Sequence, residues 1–181
     1  MKKNIFLIIF ILPQFLFNLY GQTKHDTKDF IIEKVTANSP LENYITYIFF
    51  QNIFKSDAEK LSGKTLTEEE FDNILIFARD IYTDKSYNKS IAETIDIRDI
   101  TKVSTTRTVE KINYYTITVY IGEKYYSKKY KYSSISGIEH EYLNKMEILI
   151  SDNKETAIKI KKAIIHLAKL YGVNAKDGDL F

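Results

Sequence analysis

The sequence predicts a mixed α+β domain: two N-terminal helices, an antiparallel sheet or partial barrel, and a long C-terminal amphipathic helix packed on it. Two changes of period carry that reading. Apolar residues recur at three-and-four spacing over 67–82 and again over 157–171, and between them, from Ile91 to Ile150, they alternate in twos. Composition agrees: 181 residues that are 44% hydrophobic and 28% charged, with 6 Gly and 2 Pro, suit one folded domain and exclude collagenous, low-complexity or wholly disordered chains. With no Cys in the chain, a disulfide framework, a Cys-ligated metal and a thiol nucleophile are excluded as well.

Residues 1–22 have the three parts of a secretory leader: Lys2 and Lys3, the apolar run Ile5 to Leu12 with Pro13 after it, and the small Gly21 before Gln22. Leu19 departs from the small residue that a signal peptidase prefers three positions before the cut, so an uncleaved signal anchor is the alternative. Without its leader the chain would carry 24 basic and 24 acidic residues. That balance favours neither nucleic acid nor an anionic membrane surface as partner, and leaves the membrane to an uncleaved leader alone. Residues 23–28 are polar and read as a tether, 29–173 as the domain, and 174–181 as a polar tail.

Within the domain, Phe30, Ile32 and Val35 suggest a strand. Ser39-Pro40-Leu41-Glu42 is a helix-start signal, with a capping Ser, a Pro at the first helical position and a Glu three residues after the cap; it predicts a helix from Pro40 to Leu61, ended by Gly63. The aromatic and β-branched content of Tyr44 to Phe54 would also suit a buried strand. Thr67-Glu68-Glu69-Glu70 is a second capping box, and Phe71, Ile74, Leu75, Ala78, Ile81 and Tyr82 extend a helical face to Tyr82. Thr83 to Ser90 reads as a loop.

Alternation then predicts strands. Ile95 and Ile97 share a face, with a bend near Asp99; Tyr115, Ile117, Val119 and Ile121 form the clearest period of two, with Tyr114, Thr116, Thr118 and Tyr120 opposite. A turn at Gly122-Glu123 suggests a hairpin with the run carrying Tyr126, Lys128, Tyr130 and Tyr132. After a small-residue loop, Met146, Ile148 and Ile150 mark another strand. Asp152-Asn153-Lys154-Glu155 opens the last helix, whose inward face is Ala157, Ile160, Ile164, Leu167 or Ala168 and Tyr171, and Gly172 closes it. Lys159, Lys161, Lys162 and Lys169 are expected on its outer face.

Strands followed by one long closing helix, from Ile91 to Gly172, resemble pleckstrin-homology-like barrels in element order. The helix pattern Ala163-Ile164-Ile165-His166-Leu167-Ala168-Lys169-Leu170 is similar to that of small secreted bacterial proteins of unknown function. These resemblances imply a fold and no activity.

No catalytic set is assembled by the sequence. Of the three histidines, His25 lies in the tether and His166 at the edge of an apolar stripe; Glu139-His140-Glu141 alone clusters metal-capable groups, and on a strand those neighbours alternate between faces. Ser62-Gly63-Lys64-Thr65 lacks the upstream Gly of a phosphate loop, that position being Ala58. No cofactor, catalytic residue or metal site is therefore expected. The distinctive feature is the interleaving of Tyr and Lys over 124–132: Tyr126, Lys128, Tyr130 and Tyr132 would share one strand face, where aromatics beside cations stack on sugars or hold anionic polymers. Lys161 and Lys162 form a second candidate surface, for docking an anionic partner. The sequence thus points to an exported, non-catalytic binding or structural protein of the bacterial cell envelope, secreted or periplasmic, whose partner is an envelope protein, a glycan or a small ligand and not nucleic acid. The alternative is a secreted hydrolase using Glu139, His140 or Glu141 with Asp96 or Asp99.

Overall fold

The structure, a computed structural model, describes residues 23–38, 44–48, 59, 65–83, 86–109, 113–123, 128–133 and 137–179. The leader and Tyr126 lie outside these residues, as do Pro40 and Gly63. The described elements are mixed α and β, with two sheets and a long C-terminal helix.

The first element corrects the sequence reading. Residues expected as a tether and a strand form helix α1, Lys24–Asn38. Its cap is Thr23, whose Oγ1 accepts from the Asp26 amide at 3.1 Å while Asp26 Oδ2 accepts from the Thr23 amide at 3.1 Å. This is a capping box with Asp in the place of Glu. The buried residues Thr27, Ile31 and Val35 stand four apart, which is a helical stripe and not an alternation.

Tyr44–Ile48 is strand β1, so the helix expected over Pro40 to Leu61 does not hold there, and the strand alternative does. The second capping box forms as expected, with the Thr67 side chain accepting from the Glu70 amide and the Glu70 carboxylate from the Thr67 amide, but its helix α2 is only Glu68–Asp72. The chain then enters strand β2, Ile74–Thr83. Ile74, Ile76, Phe77, Ile81 and Tyr82 are strong strand formers, and β2 pairs on both sides, with β1 and with β3 (Ser86–Asp96), so sheet pairing overrides the helical spacing and leaves a helix of only five residues.

A 3₁₀ turn at Ile97–Asp99 carries the chain from β3 into β4, Ile100–Val109, and from one sheet to the other. This is the expected bend. Strands β5 (Asn113–Ile121), β6 (Lys128–Ser133), β7 (Gly137–Tyr142) and β8 (Lys145–Ser151) follow. The first sheet has the order β1-β2-β3-β6-β7 and the second β8-β5-β4-β9, where β9 is Lys176–Asp177 and runs parallel to β4. All other pairings are antiparallel. The hairpin expected between Tyr115–Ile121 and the Tyr/Lys run is not formed: β5 pairs with β4 and β8, and β6 with β3 and β7. At Gly122 the chain crosses between sheets. Its amide bonds the Asp99 carbonyl at 2.8 Å, and the Ile121 amide bonds the Asn144 carbonyl at 2.9 Å, which ties three sheet crossings into one corner. A Cβ on Gly122 would lie 2.7 Å from Asp99 Oδ1, so this corner admits only glycine without displacement.

Helix α3, Lys154–Leu170, is capped by Asn153, whose Oδ1 accepts from the Thr156 amide at 3.0 Å. The cap sits one residue later than the expected box. Asp152 instead binds Arg107 through two bonds of 3.0 and 2.7 Å, and Glu155 pairs with Lys159 at 2.6 Å. Gly172, at φ 79°, closes the helix in the left-handed conformation as read from the sequence. Ala157, Ile160, Ile164, Leu167 and Ala168 join a core with Ile31 and Val35 of α1, Val103, Ile117 and Val119 of the second sheet, and Met146, Ile148 and Ile150 of β8. Full burial of each Ile or Leu in this layer stabilises by roughly 1.5–3 kcal/mol.

Candidate functional site

The sheet register decides where the Tyr/Lys run goes. On β3, Glu93 and Ile95 are buried and Thr94 and Asp96 part-exposed, so the strand has a core face and an outer face. Lys128 pairs with Thr94, Tyr130 with Ala92 and Tyr132 with Ser90, which puts these three in register with the part-exposed, outer side of β3 at Thr94 and Asp96. Across the other edge Lys128 pairs with Tyr142, Tyr130 with His140 and Tyr132 with Ile138. Three same-side rows of β6 and β7 thus carry Lys128 with Tyr142, Tyr130 with His140, and Tyr132 with Ile138. Tyr142, at the end of β7, is 67% exposed. Tyr126, the fourth residue expected on this face, falls outside the described residues.

The same register bears on the acidic cluster. Glu139 and Glu141 share the face opposite to His140, and each stands across from a lysine, Glu139 from Lys131 and Glu141 from Lys129. Lys129 in turn pairs with Glu93 on its other side. Asp96, named as a partner for them, is held by Arg98, whose Nε and Nη2 bond its two oxygens at 2.9 and 2.6 Å. Asp99 is buried under Gly122. No group of three or more His, Asp or Glu residues suited to a metal ion occurs among the described residues.

Two ionic clusters escaped the sequence reading. In the first, Lys28 of α1 is buried, and its ammonium donates to the Asp72 carbonyl and lies 3.3 Å from Asp72 Oδ1. The Tyr171 hydroxyl donates to the same carbonyl at 2.8 Å, and Lys24 Nζ stands 3.9 Å over the Tyr171 ring. Burial pulls the Lys28 ammonium below its ordinary pKa against the opposing pull of Asp72, and burial with the Asp72 charge pushes the Tyr171 phenol well above its ordinary range. This cluster fastens α1, the end of α2 and the end of α3 together.

The second cluster corrects the placement of Lys161. It is not on the outer face of α3 but buried, 4% exposed, with Nζ 2.7 Å from Asp177 Oδ1 and 2.7 Å from Asp179 Oδ2. Burial lowers the Lys161 pKa, but the hydrogen bonds and charges of Asp177 and Asp179 together outweigh it and leave the pKa raised. Lys162 is exposed, as are Lys159 and Lys169. Of the two candidate docking residues, Lys162 alone therefore presents a charge to solvent. His25 is exposed on α1, 3.3 Å from Asp29, and His166 Nε2 is buried with no hydrogen-bond partner among the described residues.

Among the described residues no helix is long and apolar enough to cross a membrane. No family model, no curated protein and no solved structure matches the chain, and none of these comparisons supports the expected likeness to pleckstrin-homology-like barrels.

Proposed function

We propose that the chain is an exported, non-catalytic binding protein of the bacterial cell envelope that takes a glycan on the outer positions of β6 and β7. One observation carries this reading: the register sets Lys128, Tyr130 and Tyr132 beside Tyr142, His140 and Ile138 on one face. Tyrosine rings offer flat apolar faces for the C–H side of a sugar and a hydroxyl for its rim, and lysine adds attraction for a uronate or phosphate substituent. The leader-like residues 1–22 support export, because Lys2, Lys3, the apolar run and Gly21 stand in the order that secretion requires.

The test is isothermal titration of the purified chain with soluble peptidoglycan fragments and with polygalacturonate, repeated on Tyr130→Ala and Tyr132→Ala. Saturable binding by the parent chain, weakened about fivefold or more by either substitution, is the expected result. Absence of binding to both probes, or binding that both variants retain, overturns it. Intact-mass analysis after expression in an exporting bacterium tests the leader: a product beginning near Gln22 or Thr23 supports export.

A further inference from the structure

The segment after α3 is seated in a specific polar site. Asp177 Oδ1 accepts from Lys161 Nζ and from the Asp179 amide, at 2.7 and 3.0 Å. Asp179 Oδ2 accepts from Lys161 Nζ and from the Thr105 hydroxyl, and its Oδ1 from the Thr105 amide at 2.8 Å. Gly178 donates its amide to the Val103 carbonyl at 2.8 Å, and a Cβ there would lie 2.8 Å from Ser104 Cβ. Every residue of Asp177-Gly178-Asp179 is thus read: two carboxylates by one buried ammonium, the second also by a backbone amide and a hydroxyl, and the glycine by the lack of room beside β4.

The segment itself contributes little apolar burial. Among its described residues Ala175 is the last that is buried, while Lys176 and Asp179 are exposed and Asp177 and Gly178 half-buried. What holds 176–179 is therefore polar, and its two-residue parallel ladder adds only Lys102 and Val103 of β4 as partners. Such a contact opens locally at much lower cost than the Ile-rich core beneath it, and opening leaves Lys161, Thr105 and the edge of β4 in place. That edge, with a buried ammonium at its centre, is complementary to an acidic segment that pairs briefly and then turns, whatever chain supplies it.

We propose that Lys161, Thr105 and the β4 edge form a peptide-binding site for an Asp-Gly-Asp segment that leaves a short strand and turns at the glycine, occupied in cis by residues 177–179 and able to take the same segment from a second copy of the chain. Occupation in trans would link copies through their C-terminal segments without rearranging the core, since the contacts exchanged are identical.

The experiment uses the full chain with Asp177→Asn and Asp179→Asn, which weakens the resident segment while keeping its shape, and a fluorescent peptide of residues 174–181 as the probe. Fluorescence anisotropy should show saturable binding to this variant, at least tenfold weaker binding to the parent chain, whose site is filled in cis, and loss of binding when Lys161→Met is added. A folded Asn variant that does not bind the peptide, or one whose binding survives Lys161→Met, overturns the proposal. Should the Asn variant fail to fold, hydrogen exchange on the parent chain decides: the Thr105 and Gly178 amides should exchange at least a hundredfold faster than those of Ile117 and Val119. Equal rates would mean that the segment leaves only on global unfolding, and would overturn the proposal equally.

Discussion

Replacing Lys28 by Met should raise the stability of the fold by about 1 kcal/mol, although it removes an ion pair. The side chain is 6% exposed, whereas that of its partner Asp72 is 55% exposed. Withdrawing an ammonium from water costs several kcal/mol even after relaxation, a charge-assisted hydrogen bond returns about 1.5–3 kcal/mol, and an exposed carboxylate is too well screened to return much more. That the Lys28 pKa is lowered, burial outweighing Asp72, has the same sign. Methionine keeps the apolar stem, so no large cavity opens, and the Asp72 carbonyl keeps the Tyr171 hydroxyl as a donor. Urea and thermal melts at pH 7 should show the gain, about 2–4 °C in Tm for a chain of this size. The pH dependence provides the sign check. A lysine whose folded pKa lies below its unfolded value of about 10.4 binds fewer protons in the folded state, so the parent chain gains stability as pH rises through the folded pKa, and the variant lacks that gain. The advantage of Lys28→Met should therefore shrink as pH approaches about 10.4. Lys28→Ala, which also deletes the buried stem, should instead lose about 2 kcal/mol. A loss of about 1.5 kcal/mol or more in the Met variant at pH 7 would refute the reasoning, because it would mean that the bond to Asp72 outweighs the cost of burial.

Acid should loosen the C-terminal segment before the core. Lys161 holds Asp177 below the ordinary carboxylate range, and Asp179, despite the opposing effect of burial, is held there by Lys161 and Thr105. Their stabilisation is complete above the unfolded value of about 3.9 and is lost as pH falls through their folded values, so melts between pH 5 and about 2.5 should fall more steeply in the parent chain than in Asp177→Asn with Asp179→Asn; parallel curves would contradict this. Gly122 and Gly172 should respond differently to alanine. Gly122→Ala forces a Cβ against the buried Asp99 and should cost about 1–3 kcal/mol, whereas Gly172→Ala meets nothing within 4 Å and should cost only the left-handed backbone penalty of about 1 kcal/mol, with Gly172→Asn cheaper still. Chemical denaturation of the three variants checks the order.

The elements legible in the sequence are those whose local signals and tertiary partners agree. Met146, Ile148 and Ile150 alternate and are buried on one face of β8, and Ala157 to Ala168 form a stripe that covers the second sheet. Misreadings arose where a local signal was sound but short. The Thr67 box caps a real helix, yet five residues cannot outweigh the two-sided pairing of β2. At the N-terminus the opposite happened. Phe30 and Ile32 suggest alternation, while the buried positions are Ile31 and Val35, and the cap that announces the helix uses Asp26, a shorter carboxylate than the Glu or Gln of the usual box. The strand partners of β5 and β6 were invisible for a different reason: a Gly beside a polar residue marks a change of direction, but whether the chain doubles back or crosses to another sheet depends on Asp99 and Asn144, which are distant in sequence.

Lys161 shows what the sequence does hold about the site. Its charge argued for the outer face, but its spacing argues for the inner one: Ala157, Lys161, Ile164 and Ala168 stand four, three and four apart, which is the period of a buried helical stripe. A lysine inside such a stripe needs an anion, and the chain supplies two beyond the helix end, Asp177 and Asp179, which a turn at Gly178 brings onto the same ammonium. The two patterns have meaning only together. A cation at an inward position predicts an acidic pair, and Gly178 between the two carboxylates predicts a turn that passes close against another strand. The specificity of the proposed peptide site follows from this arrangement, since a peptide lacking either carboxylate would leave Lys161 underpaired, and one with a side chain at the glycine position would displace Ser104.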